Sequence, residues 1–242
     1  ILVEGIAEKL LVPLFMEICG CSYEDEHISI VEIGGKHFKY FVELFNSNAV
    51  KKKVLCITDK DFKWIDFDGD GKLRSYSEYE SDEPIHITDL KQRFSIENFH
   101  ICTQSIGGRT FEDEFFLTNM ADKNVATAVF KRAISNTIND FFDKYSFDLT
   151  AWEAHIDEVD GRSHKTVKKF LDAYKSRVDD SPERTSDYEK LILAEIFLHY
   201  AKDKKGDVAL GILTDKALMN QDGSSKLIVP HYIQEGLTWL LK

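Results

Sequence analysis

One segment, Val54-Leu55-Cys56-Ile57-Thr58-Asp59-Lys60-Asp61, constrains this chain more than any other, because an unbroken apolar run stops abruptly at two aspartates one residue apart. Four consecutive apolar residues following Lys51, Lys52 and Lys53 read as a strand buried on both faces, the pattern of a central strand in a parallel sheet. Its carboxylates then fall at the C-terminal end of the strand. In open α/β sheets that edge binds ligands, near the point where the strand order reverses. An i, i+2 pair in extended backbone points to one side, so Asp59 and Asp61 are candidates for holding divalent cations together. The competing reading is that Asp-Lys-Asp caps the next element and solvates a loop.

The rest of the chain supplies partners for that strand. Ile1-Leu2-Val3, the Glu4-Gly5 step and an amphipathic stretch from Ile6 to Val12 read as a first strand, turn and helix. Glu4 ends a buried strand beside a glycine and has no evident structural duty; Glu8, in the first helical turn, serves either the helix dipole or a site. Residues 28–33 read as a second strand leading through Gly34-Gly35 into a helix over 38–45, residues 54–58 as the third strand, and 99–103 as the fourth. Gly107-Gly108-Arg109-Thr110 then carries Glu112, Asp113 and Glu114 to the same sheet edge, with Thr110 and Asp113 at capping-box positions.

From Asp122 onward the apolar period is helical, with helices expected over 163–177 and 186–200, a linker at 179–182, a break at 202–206 and a final helix opened by Pro230. The expected fold class is α/β: a mostly parallel four-stranded sheet flanked by helices. We expect 1–120 as its core, 121–200 as a helical insertion and 201–242 as a C-terminal segment returning to the core.

A net charge of −11 argues against a general polyanion-binding surface, although carboxylates loaded with metal attract phosphate. Cys19, Cys21, Cys56 and Cys102 have no CxxC spacing, so neither a zinc site nor a redox motif is indicated, and reduced core cysteines fit a cytoplasmic protein. No stretch approaches the roughly 18 apolar residues that a membrane span needs. Asp66-Phe67-Asp68-Gly69-Asp70-Gly71 has the spacing of a calcium loop, but position twelve is Ser77 and Glu78 comes one residue late, so a surface hairpin is expected. A P-loop pattern is absent. The chain opens directly on a strand without methionine, and we expect a fragment of a longer polypeptide.

Glu4, Asp59 and Asp61, with Glu8 and Glu112 added, come from separate strand ends that a parallel sheet brings to one edge. Carboxylates without His or Cys favour hard, oxygen-loving ions, hence Mg²⁺ or Mn²⁺. Two such ions about 4 Å apart can activate water on one side of a phosphodiester and stabilise the leaving oxygen on the other.

These residues resemble a known family. Leu2-Val3-Glu4-Gly5 with Glu8, then Thr58-Asp59-Lys60-Asp61, is similar to the Toprim domain of topoisomerases, DnaG-type primases and several nucleases. More narrowly, the chain resembles the nuclease domain of the OLD (overcoming lysogenization defect) family, which includes the Gabija phage-defence nuclease. That narrower likeness rests on Thr110-Phe111-Glu112, Lys205-Gly206-Asp207-Val208-Ala209-Leu210 and Ile228-Val229-Pro230-His231-Tyr232-Ile233.

The resemblance implies a metal-dependent endonuclease that cuts or nicks DNA with two Mg²⁺ or Mn²⁺ ions, Ca²⁺ being an inert substitute. Glu4, Glu8, Asp59, Asp61 and Glu112 would be ligands or water activators and Lys205 the transition-state cation, with Glu114 and Lys204 as rivals of Glu112 and Lys205. It also implies an ABC-type ATPase domain preceding this one, a homo-oligomer in the full-length protein and no membrane association. The alternative is a Toprim-like assembly module that is inactive without its ATPase half.

Overall fold

Strands β1 (Leu2–Val3), β2 (Val31–Glu32), β3 (Val54–Ile57) and β4 (Phe99–Cys102) pair in parallel in the order β2-β1-β3-β4. The structure is a computed structural model that describes residues 1–45, 50–94, 96–134, 136–159 and 161–242. Chain order runs from β1 outward to β2, then back across β1 to β3, so the reversal lies between β1 and β3. Their register, Val3 opposite Ile57 and Ile57 opposite Cys102, ends β1, β3 and β4 level with one another. Glu4, Asp59 and the residues after β4 therefore emerge on one rim.

β3 is covered on both faces, as its apolar run requires. Leu55 and Ile57 face a core shared with Phe15, Phe111 and Ile233, whereas Val54 and Cys56 face a smaller one with Phe38, Leu90 and Phe94. β2 is shorter than expected, since only Val31 and Glu32 pair with β1.

Helices α1 (Ile6–Ile18), α2 (Phe38–Val42), α3 (Tyr76–Ser81), α4 (Ile85–Arg93) and α5 (Phe111–Asn119) surround the sheet. α1 continues six residues beyond Val12 and through Pro13. Phe15 and Met16 in that extension are wholly buried, and Phe15 packs 5.8 Å from Phe115, so tertiary packing outweighs the helix-breaking cost of proline. α3 and α4 lie in the crossover from β3 to β4, where the sequence pattern predicts only a surface hairpin. That hairpin is present, closed by an antiparallel bridge between Ile65 and Leu73. Glu78 accepts from Ser75 N at 2.7 Å in a capping box, which occupies the carboxylate nearest to a calcium loop's twelfth position.

The remaining helices are α6 (Lys123–Ala133), α7 (Asn136–Tyr145), α8 (Leu149–His155), α9 (Gly161–Asp180), α10 (Thr185–Ala201), α11 (Lys205–Leu213) and α12 (His231–Leu241). α10 is buried nearly all round, and its Phe197 stacks on Phe116 of α5 at 4.8 Å. α12 closes over β3 and β4, where a Cβ on Gly236 would meet Cys102 Sγ at 2.5 Å. None of the described helices is long and apolar enough to cross a membrane.

Candidate functional site

Glu4 leaves β1 and Asp59 leaves β3 as neighbours on the rim. Glu4 Oε1 accepts from Asp59 N at 2.9 Å and also from the Thr58 hydroxyl. Asp59 is buried, and its Oδ1 accepts from the backbone N–H of Phe111 at 2.9 Å, an orphan donor of the first turn of α5, and from Gln104 Nε2 at 2.9 Å. Glu112, one residue on, is buried at 4 % exposure. Its Oε2 accepts from Lys205 Nζ at 2.9 Å and Thr110 Oγ1 at 3.0 Å, while Oε1 is buried without a partner.

Glu8 completes the group from the first turn of α1 and is 3 % exposed. Burial, then the charges of Glu112 and Glu4, push its carboxyl up to about 7. Burial likewise raises Asp59 well above the usual carboxylate range, reinforced by Glu8, Glu112 and Glu4. Burial alone would lower Lys205, but Glu112, Asp59 and Glu8 outweigh it and hold the ammonium charged. Among the described residues, Lys205 is thus the ammonium on which Glu112, Asp59 and Glu8 act together.

Asp61 is placed differently. Its backbone is left-handed, at φ 54°, rather than extended, which removes the reason for expecting Asp59 and Asp61 to point the same way. Its side chain is 45 % exposed and ion-paired with Lys36, and its N–H donates to Arg109 O at 2.7 Å.

Geometry separates the two ambiguous pairs. Glu114 is turned into the loop before α5, where its carboxylate accepts from the N–H groups of Ser105, Ile106 and Gly108 at 2.9, 3.0 and 2.6 Å. Glu112 is the carboxylate that reaches Lys205. Lys205 opens α11 rather than ending the preceding break, which aims it at the rim. Thr110 and Asp113 form the expected capping box, with Asp113 Oδ1 accepting from Thr110 N at 2.8 Å.

Three neighbours of the site escaped sequence reading. Gln104 follows Cys102 by two residues just as Asp59 follows Ile57, so aligning the ends of β4 and β3 would have found it. His86 Nε2 pairs with Asp59 O at 3.0 Å from α4, a helix that was not foreseen. Glu195 of α10 is buried against Arg109 at 3.1 Å, and no sequence signal marks it.

Among the described residues, no group of three or more His, Cys, Asp or Glu side chains is arranged ready to hold a metal ion. The donor set nevertheless fits a hard divalent cation. It is all carboxylate, Glu112 Oε1 is a buried acceptor without a donor, and Glu4 and Asp59 each have one oxygen tied by N–H or O–H donors. Closing the set around an ion requires side-chain movement.

A parallel sheet in the order β2-β1-β3-β4, flanked by helices and with acids where its two middle strands end, is the α/β class that the sequence pattern predicts. Residues 1–61 match the family model described as the overcoming lysogenization defect protein-like TOPRIM domain, which covers Glu4, Glu8, Asp59 and Asp61. Glu112 and Lys205 lie beyond the matched residues.

Similar solved structures include the C-terminal region of the Burkholderia pseudomallei OLD protein, at 17% identity and a TM-score of 0.47, covering 99% of this chain and 94% of that one. The C-terminal region of the Xanthomonas campestris pv. campestris OLD protein is similar at 17% identity and a TM-score of 0.49, covering 99% and 89%. No curated protein matches the chain.

Proposed function

We propose that this chain is a Mg²⁺- or Mn²⁺-dependent DNA endonuclease or nickase domain. The observation that carries this reading is the convergence of Glu4, Glu8, Asp59 and Glu112 on one rim with Lys205 among them. Divalent ions bound there would supply charge to a phosphodiester and an activated water. Glu4 and Asp59 are tethered to backbone N–H groups, so the free oxygen of each is presented from a fixed carboxylate. Lys205, kept charged by its acidic neighbours, is the side chain placed to stabilise negative charge developing on the phosphate. Asp61 joins the ligands once it leaves Lys36.

Residues 121–200 serve in this reading as a helical insertion that buttresses the rim through α10 and α5. A preceding ATPase domain, oligomerisation of the full-length protein and a role in phage defence in the cytoplasm extend the same proposal. The test is incubation of supercoiled plasmid with the protein across Mg²⁺, Mn²⁺ and Ca²⁺, alongside Asp59→Ala. Nicking with Mg²⁺ or Mn²⁺ that disappears in the variant supports the proposal. Absence of nicking, together with no heat of Mn²⁺ binding, overturns it.

The engagement of Asp61 with Lys36 favours a second reading, a Toprim-like assembly module whose rim is organised only by its missing ATPase half. That reading predicts metal binding only when the ATPase half is restored.

A further inference from the structure

Gln104 is a buried amide with every hydrogen-bonding capacity used. Its Nε2 donates to Asp59 Oδ1 at 2.9 Å and to the Tyr232 hydroxyl at 3.4 Å. Its Oε1 accepts from Lys60 N at 2.6 Å and Thr103 Oγ1 at 3.2 Å. At 2 % exposure water cannot substitute for these partners. Rotating the amide by half a turn would set its oxygen against the Asp59 carboxylate and its NH₂ against the Lys60 N–H, so one orientation is enforced.

The consequence falls on Asp59. Oδ1 holds two donors, the Gln104 amide and the Phe111 N–H, and among the described residues no donor reaches Oδ2. We propose that Gln104, braced by Tyr232 of α12, is a positioning residue that fixes the Asp59 carboxylate so that Oδ2 alone is offered to a divalent cation. The inference rests on the metal-dependent reading above. It gives α12 a part in the site: the helix that covers the sheet also sets the orientation of a ligand on its rim. Groups acting this way on a ligand typically change metal affinity about 10–100-fold when removed.

The test measures Mn²⁺ binding by titration calorimetry on the intact chain, with nicking of supercoiled plasmid as a second readout. Gln104→Leu removes the amide at similar volume, and Gln104→Glu places an acceptor against Asp59. Both are expected to weaken Mn²⁺ binding about 10–100-fold. The Mn²⁺ needed for half-maximal nicking should rise by the same factor, with the rate at saturating Mn²⁺ within about threefold of wild type. A purely structural role would lower the melting temperature and leave Mn²⁺ affinity of the folded protein unchanged, which overturns the proposal. If Gln104→Leu does not fold, Tyr232→Phe decides, with at least about threefold weaker Mn²⁺ binding expected and equal affinity overturning it. Wild-type protein that binds no Mn²⁺ defeats the endonuclease reading and this inference together, whereas wild-type binding with unchanged variants defeats this inference alone.

Discussion

Lys205 Nζ lies 2.9 Å from Glu112 Oε2, although 93 residues separate them in sequence. The contact joins the first turn of α11 to the first turn of α5 and sets the ammonium beside two further acids, Asp59 and Glu8. Each residue depends on the other: without Lys205, Glu112 would be a buried carboxylate without its cation, and without Glu112, Lys205 would lose its direct ion-pair partner.

This pairing separates the two adjacent lysines. Lys205→Met is expected to lower the plasmid-nicking rate at saturating Mn²⁺ by about 100-fold or more, the scale of losing one transition-state donor. Lys204→Met should change it less than about threefold. Equal effects from the two substitutions would remove Lys205 from its assigned role.

Asp59 and Asp61 should respond differently although only one residue lies between them. Asp61 is a half-exposed partner of Lys36, so Asp61→Asn, whose side chain tolerates the left-handed backbone at this position, should leave unfolding free energy within about 0.5 kcal/mol of wild type while weakening Mn²⁺ binding. Asp59→Ala discards an acceptor shared by the Phe111 N–H and Gln104, and should both abolish nicking and lower the melting temperature. Thermal melts with and without Mn²⁺ distinguish the two.

Stability should depend on pH through buried acids away from the rim's ligands. Burial pushes Glu195 up to about 7, opposed by Arg109, and pushes Glu114 up to about 7, opposed by the Ser105, Ile106 and Gly108 N–H groups. Each retains in the folded state a proton that the unfolded chain releases near its ordinary value. Folded protein therefore binds more protons between about pH 4.5 and 7, and stability falls as pH rises through that window, levelling off above it. Urea midpoints measured from pH 5 to 8 without metal should show this slope, and Glu195→Gln should flatten part of it.

Gly236 tests how closely α12 sits on the sheet. Alanine is preferred to glycine inside a helix by about 1 kcal/mol, which taken alone predicts stabilisation. Here the added Cβ would come within 2.5 Å of Cys102 Sγ and 2.8 Å of a Leu55 methyl. Gly236→Ala is accordingly expected to destabilise by about 1–3 kcal/mol despite the better propensity, read as a drop in the denaturant midpoint.

Much of the scaffold was legible in sequence because its signals are local. An apolar run closed by acids places β3 and Asp59, Leu2-Val3-Glu4-Gly5 places β1, and Thr110 with Asp113 places the start of α5. α3 and α4 went unread because they lie in a polar crossover, and the length of α1 was misjudged because Pro13 is overruled only by the burial of Phe15 and Met16.

The sequence by itself determined which acids exist and which strand ends carry them, since burial pattern and chain breaks are properties of neighbouring residues. Only the tertiary structure decided their company: Lys205 and not Lys204 on Glu112, Glu114 turned into its own loop, Asp61 bent toward Lys36, and Gln104 clamped between Asp59 and Tyr232. Those choices depend on strand register, one left-handed residue and the seating of α12, each set by packing between segments far apart in the chain.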